Sequence, residues 1–353
     1  PDSVTFTDNI LEDLKRRDFT ANAFALNPLD GKLITLMDNQ LLDLQLGIIR
    51  CVGDPNTRFQ EDALRTLRAI RFSAQLGFSI EDKTFKAIKD NAALIQNISK
   101  ERIRDELTKI VCSDNPQMLE FLSLTGLDTY IIPDITKMLE CKQHNKYHYT
   151  DVMHHTFDVM KMLPKDSFTL RWAGFFHDIG KPYCVSVDDE GWEHFYNHPD
   201  ISAERAKQYM LDLKFDNDSI DTIYKLVKYH DREIGTKVSM KSFKKIVNLV
   251  GVDLFPDFLK LRVADAYAHK LNVGIGFAIE SISSAKDKYE NLLLKPQPMK
   301  ISDLALNGND LKAMGLEGVQ IGITLKELLE YVLENPEKNT KEDLTNKVNL
   351  IKR

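Results

Sequence analysis

The chain has 353 residues, 43% hydrophobic, and a net charge of −6, which allows large cores in two or three domains and gives no support to nonspecific nucleic-acid binding. Its four cysteines (Cys51, Cys112, Cys141, Cys184) are scattered without C-x-x-C spacing, against a disulfide scaffold or structural zinc and for a reducing, cytosolic setting. No apolar run is long enough to span a membrane, and no signal peptide is expected.

The chain opens on Pro1, at what reads as a strand over Val4–Thr7. The expectation is a polypeptide truncated at its start, or a piece of a longer one. A helix near Ile10–Arg16 and the stretch RRDFTANAFAL follow, and Asp30-Gly31 predicts a hairpin turn between two apolar runs. From Glu61 to about Ile132 the pattern is helical. Leu64, Leu67, Ile70, Phe72, Ala74 and Leu76 give an apolar face, with Gly77 as its C-cap. Ile98–Ile110 predicts a helix with Ser99 as N-cap and Arg102 in reach of Glu106 at i,i+4. Lys142–His148 reads as a connector, and a second helical unit runs to about Leu294. Lys295-Pro296-Gln297-Pro298 is a break. The tail from Ile301 reads helix–turn–helix, punctuated by Gly308, Gly315, Gly318 and Gly322.

Two constellations carry chemistry. In Arg58–Phe72, RFQEDALRTLRAIRF, Asp62 and Arg65 lie three apart and would share one face of a helix. A carboxylate only accepts hydrogen bonds and a guanidinium only donates. Cytosine and adenine each set an amine donor beside a ring-nitrogen acceptor, so this pair could choose C and A without a template. The plainer alternative is a surface ion pair worth about 0.2–0.5 kcal/mol. Arg58, Arg65, Arg68 and Arg71 form a basic cluster, with a solvated helix face as the alternative for Arg71. The second constellation is of histidines: eight of nine lie between His144 and His230, and His177-Asp178 follows the apolar run WAGFF.

The segments RRDFTANAFA (Arg16–Ala25), DPNTRF (Asp54–Phe59) and the Glu-Asp-x-x-Arg run Glu61–Arg65 stand in an order that resembles the bacterial poly(A) polymerase/CCA-adding enzyme family, the class II tRNA nucleotidyltransferases. The resemblance implies that Arg16, Arg17 and Asp18 hold sugar and triphosphate, with Asn22 a lesser candidate, that Arg68 lines the nucleotide site, and that Asp62 and Arg65 select the base. ISKERIRDEL resembles the family's neck segment, implying RNA contacts for Arg71 and Arg102 or a structural role. ALNGNDLKAMG and IGITLKELL resemble the family's C-terminal, tRNA-facing end.

The His-Asp pair resembles the HD superfamily core, implying metal ligation by His155, His177, Asp178 and Asp265, with His198 and His230 as candidate ligands of a second ion. His144, His148, His154 and His194 are expected at the surface. The donor types suit Mn, Fe, Zn or Mg. Two ions about 3.5–4 Å apart would clamp a phosphoester and activate water.

Nucleotidyl transfer also needs Mg²⁺ held by clustered carboxylates. The family's Asp-x-Asp pair and Gly-Gly-x-Val-Arg-Asp stretch have no match here. Asp216-Asn217-Asp218 has the spacing but reads as a polar loop, and Ile34–Gln40 departs from the family pattern. The fold expected is mainly α: an incomplete α/β nucleotidyltransferase head (1–50), a helical neck (51–135), a helical HD body (136–294) and a helical tail (295–353). The function expected is addition of CCA to tRNA 3′ ends from CTP and ATP, with this chain inactive in transfer by itself. The alternatives are a metal-dependent HD phosphohydrolase, a poly(A) polymerase of the same family, or a noncatalytic tRNA-binding body.

Overall fold

The structure, a computed structural model, describes residues 7–37, 40–144, 150–269, 275–294 and 297–351. All but Thr7 of the strand expected at Val4–Thr7 lies outside these residues, as do His148 and the Lys295-Pro296 half of the break. The chain forms two compact units, residues 1–228 and 229–353. The boundary between them falls inside the segment expected as the HD body (136–294).

In the first unit, α1 (Ile10–Lys15) starts at Asn9, whose side chain accepts from the Leu11 amide, and it buries Leu14. The antiparallel pair β1 (Ala25–Leu26) and β2 (Leu33–Ile34) is the hairpin expected at Asp30-Gly31; Gly31 supplies the positive φ of +68° that its turn needs. After α2 (Gln40–Leu46), β3 (Ile48–Ile49) pairs in parallel with β4 (Ser79–Ile80). Gln40 is fully buried and ties the loop before it: its amide donates to the Thr20 and Ala23 carbonyls and its oxygen accepts from the Leu36 amide. Several leucines here stay in solvent, among them Leu26, Leu29, Leu42 and Leu46.

Between β3 and β4 run α3 (Pro55–Glu61) and α4 (Leu64–Leu76). Asp54 caps α3 and Pro55 sits in its first turn, where a missing N–H costs nothing. Gly77 ends α4 in the left-handed region, as expected. Leu64, Leu67, Ile70 and Ala74 are buried against α6 (Lys100–Val111), whose inward face carries Ile103, Leu107 and Ile110, with α5 (Asp82–Asp90) between them in sequence. Phe72 is half-buried and Leu76 exposed, because the 3.6-residue period carries them off that face. Short helices α7 (Glu120–Thr125), α8 (Asp128–Ile131) and α9 (Asp134–Glu140) lead to α10 (Val152–Met162) and α11 (Phe168–Phe176). The hairpin β5 (Val185–Val187) and β6 (Glu193–Phe195) precedes α12 (His198–Asp212) and α13 (Asn217–Tyr229). Trp172 is the centre of this core, stacked on Phe176 and edge-on to Phe175 and Phe215.

The second unit is helical: α14 (Met240–Val250), α15 (Phe255–Ala268), α16 (Ile275–Leu294), α17 (Gly308–Ala313), α18 (Val319–Glu334) and α19 (Lys341–Ile351). Phe243, Phe255, Phe258 and Tyr289 form its aromatic core, and the Tyr289 hydroxyl donates to the Val252 carbonyl. The helices expected in the tail are present as α17 to α19.

Candidate nucleotide and metal sites

Asp18 is the hub of the first site. It lies in the segment that bridges antiparallel to Cys51 through Phe19, so the backbone fixes it against Arg50–Val52. Its carboxylate is 6% exposed and accepts from Arg68 Nε at 2.5 Å and Asn22 Nδ2 at 2.9 Å. Burial pushes the Asp18 carboxyl up, but these hydrogen bonds and the Arg68 charge outweigh it and hold it below the ordinary range. Asn22 and Arg68 therefore converge on Asp18, as the sequence grouped them. Arg17 donates to the Asn22 carbonyl at 2.9 Å and pairs with Asp13, and Arg16 pairs with Asp13 in its turn. Both side chains are exposed, 58% for Arg16 and 45% for Arg17.

Asp62 and Arg65 do not share a helix face. Asp62 has extended backbone (φ −152°, ψ 104°) and separates α3 from α4. Its carboxylate accepts from the Leu64 amide at 3.0 Å, offering the backbone an alternative to continuing the helix. Its other oxygen accepts from Arg102 at 2.8 Å. Arg65 is held by three acceptors: Glu61 at 2.6 Å, the Arg58 carbonyl at 3.1 Å and the Arg16 carbonyl at 3.1 Å. Glu61 also takes Arg58, and these two arginines hold its carboxyl below the ordinary range against the raising effect of burial. Acceptor and donor are thus present three residues apart, each fixed by a different partner.

Arg102 reaches Asp62 and not the Glu106 expected one turn on. Glu106 is taken by Arg71 at 2.9 Å and by Lys109 at 2.9 Å. Arg71 lies over the Phe72 ring with 11% of its side chain exposed, and burial lowers its pKa. It is neither a solvated face nor turned outward for RNA; it is half of an internal ion pair between α4 and α6.

The second site is built by α10, the end of α11 and the start of α12. His155 is 1% exposed, and His177 and Asp178 are as deeply buried. His155 Nε2 lies 3.7 Å and His177 Nε2 3.1 Å from Asp178 Oδ2, and His198 Nε2 lies 3.3 Å from Asp178 Oδ1. Carbonyls fix two rings through Nδ1: Gly174 holds His177 at 2.7 Å and Phe195 holds His198 at 2.8 Å, which turns each Nε2 toward the carboxylate. Three imidazoles around a buried carboxylate are a donor set that fits a divalent cation. Gly180 permits the approach, since a Cβ there would lie 2.6 Å from the Ser202 nitrogen and 2.8 Å from the His198 carbonyl oxygen.

Sequence reasoning gave no role to Lys181. Its ammonium is buried, 2.6 Å from Asp178 Oδ2, and donates to Gln143 at 2.8 Å. The signal was its i,i+3 spacing from Asp178. His154 is exposed and pairs with Asp151, His194 with Asp188, and His144 is exposed, as expected of surface residues. In the second unit, His230 is buried and its carbonyl accepts from Arg262, while Asp265 on α15 lies 3.6 Å from His269. Asp216 and Asp218 do not lie on a strand: Asp216 accepts from the Ser219 amide and hydroxyl at the start of α13.

Family models match in three places: the poly A polymerase head domain over residues 1–50, the probable RNA and SrmB-binding site of polymerase A over 77–139, and the HD domain over 146–273. A CCA-adding enzyme of Lactobacillus helveticus is 30% identical over 346 residues, covering 96% of this chain and 72% of that protein. One from Limosilactobacillus reuteri is 51% identical over 132 residues, 37% of this chain and 32% of that protein; against that relative the chain spans about a third of its length. The crystal structure of a Bacillus stearothermophilus CCA-adding enzyme in complex with CTP shares the fold, with a TM-score of 0.66 at 23% identity over 99% of this chain and 77% of that one.

Proposed function

Because the chain belongs to the CCA-adding enzyme family, we propose that it supplies the nucleotide-selecting and RNA-gripping parts of a tRNA nucleotidyltransferase that adds C, C and A to tRNA 3′ ends from CTP and ATP. The observation that carries the reading is a donor and an acceptor three residues apart, each anchored: Arg65 by Glu61 and two carbonyls, Asp62 by the Leu64 amide and Arg102. Fixed groups discriminate because they cannot turn to suit the wrong base, whose unmatched donors or acceptors then cost about 1–3 kcal/mol each. Arg16 and Arg17, exposed and each paired with Asp13, can exchange a carboxylate for phosphate oxygens. Asp18 keeps Arg68 and Asn22 in place. The cytosolic setting expected from the cysteines belongs to the same proposal. Equilibrium binding of CTP, ATP, UTP and GTP tests it. The chain should prefer CTP and ATP by about tenfold or more, and Arg65→Ala should erase that preference. Equal binding of all four by the unaltered chain would sink the pairing.

The Mg²⁺ of transfer does not fit the residues present. No Asp-x-Asp pair lies on a strand among the described residues, so no step of transfer is assigned to this chain's carboxylates. A second reading rests on the cluster of His155, His177, Asp178 and His198, which would hold a divalent cation; His230 and Asp265 are proposed as further ligands from the order of the HD motif. The cation, when bound, would polarise a phosphoester. The chain's own part is to hold His177 and His198 by their Nδ1 bonds and to offset the Asp178 charge with Lys181. Purified protein should carry close to one or two divalent ions, measured by atomic absorption, and protein free of metal would remove this reading.

A further inference from the structure

An open groove of about 610 Å³ lies in the first unit between α6 and the turn after α12. Arg104, Thr108 and Lys109 line one wall at helical spacing, Lys214 lines the other, and the rings of Phe168 and Phe215 complete its lining. The turn ends α12 by two bonds, Lys214 N to the Leu211 carbonyl and Phe215 N to the Met210 carbonyl. This termination places its middle residue in the left-handed region, where glycine carries no Cβ penalty. The residue found is Lys214, at φ +60°. Arg104 donates to its carbonyl and so holds the turn against α6. Two carboxylates also line the groove. Asp216 is engaged by the Ser219 amide and hydroxyl, and Asp105 by Arg104. Lys109 leans on Glu106. Lys214 has no side-chain partner among the described residues, and it is exposed.

We propose that this groove takes the sugar–phosphate backbone of an RNA strand, with the Lys214 ammonium on a phosphate and the half-buried Phe168 ring beside the sugar. The argument is charge and conformation together: three cations against two engaged carboxylates, over an apolar lining, with the freest cation at a position whose backbone favours a residue that has no side chain. The proposal rests on RNA being the partner of this protein and adds the place of contact.

The test separates the side chain from the turn. Lys214→Gly keeps the left-handed geometry and removes only the ammonium, and Lys214→Asp reverses the charge with a residue that tolerates this region. Binding of labelled tRNA lacking its 3′ CCA is measured across salt concentrations, beside thermal melting. Lys214→Gly should melt no lower than the parent. Its affinity should fall about three- to fivefold near 0.15 M salt, with the log–log salt slope reduced by about 0.7–0.9, one phosphate contact. Lys214→Asp should lose more. Unchanged affinity and slope in both variants would overturn the groove while leaving RNA as partner. Failure of the parent to bind tRNA at all would overturn both readings.

Discussion

Gly180 shows how much of the metal cluster depends on one missing methyl group. Its amide donates to Ser202 Oγ at 2.8 Å, and of the three atoms a Cβ would strike, Ser202 Oγ is side chain while the Ser202 nitrogen and the His198 carbonyl oxygen are backbone of α12, which cannot turn aside as a side chain could. Gly180→Ala must therefore move either the His177-Asp178 turn or the first turn of α12, which carries His198. We expect a stability loss of about 1–3 kcal/mol in urea denaturation and a drop in bound divalent metal of at least about tenfold. Parent-like metal content in the folded variant would mean that His198 is not a ligand. The same residue marks a limit of sequence reading. His177-Asp178 was visible as a motif, and His155 could be chosen over its neighbour His154 by motif order. The close approach that brings His198 to them depends on where a later helix lands, and no spacing announces that.

At the scale of elements, α4 and α6 are joined by apolar packing and by the ion pair of Arg71 and Glu106, 11% and 5% exposed. Breaking a buried pair leaves an uncompensated charge. Glu106→Leu, which strands the Arg71 guanidinium, should cost about 3–5 kcal/mol in chemical denaturation. Arg71→Met should cost less, because Lys109 still neutralises Glu106. A loss below about 1 kcal/mol in Glu106→Leu would mean that Arg71 has turned out to solvent. Element ends with local chemistry were legible: the Asp30-Gly31 turn, the Gly77 cap, and Ser99 as the residue before α6, although its side chain makes no capping bond. The junction of α3 and α4 was not. The helical pattern runs unbroken through Glu61–Arg65, yet the Asp62 side chain bonds the Leu64 amide and opens the helix there. Nor was partner choice legible, since Arg102 passes over Glu106, four residues away, for Asp62, forty residues away. Local spacing states which partners are possible, and only packing decides among them.

For the whole molecule, the mainly helical fold and the family both followed from the order of motifs. Borders drawn by motif follow chemistry, whereas compact units follow contact density, which brings α13 into the first unit and starts the second at Tyr229. Incorporation of labelled CTP and ATP into tRNA lacking its CCA, with Mg²⁺, is the measurement at this scale. No incorporation is expected from this chain by itself. Robust incorporation would show that carboxylates among the residues here hold the ions, and would reverse the reading of Asp216 and Asp218.

The two-residue parallel pair of Ile48–Ile49 with Ser79–Ile80 has a consequence for recombining such proteins. Arg50 extends the stitch, reaching Glu81 at 2.6 Å and Asp43 at 2.9 Å. A chimera that swaps heads at residue 50, where the head match ends, would sever β3 from β4 and leave the Arg50 ion pairs to chance. A crossover placed beyond Glu81 would carry α3, α4 and their seam across as one inherited block.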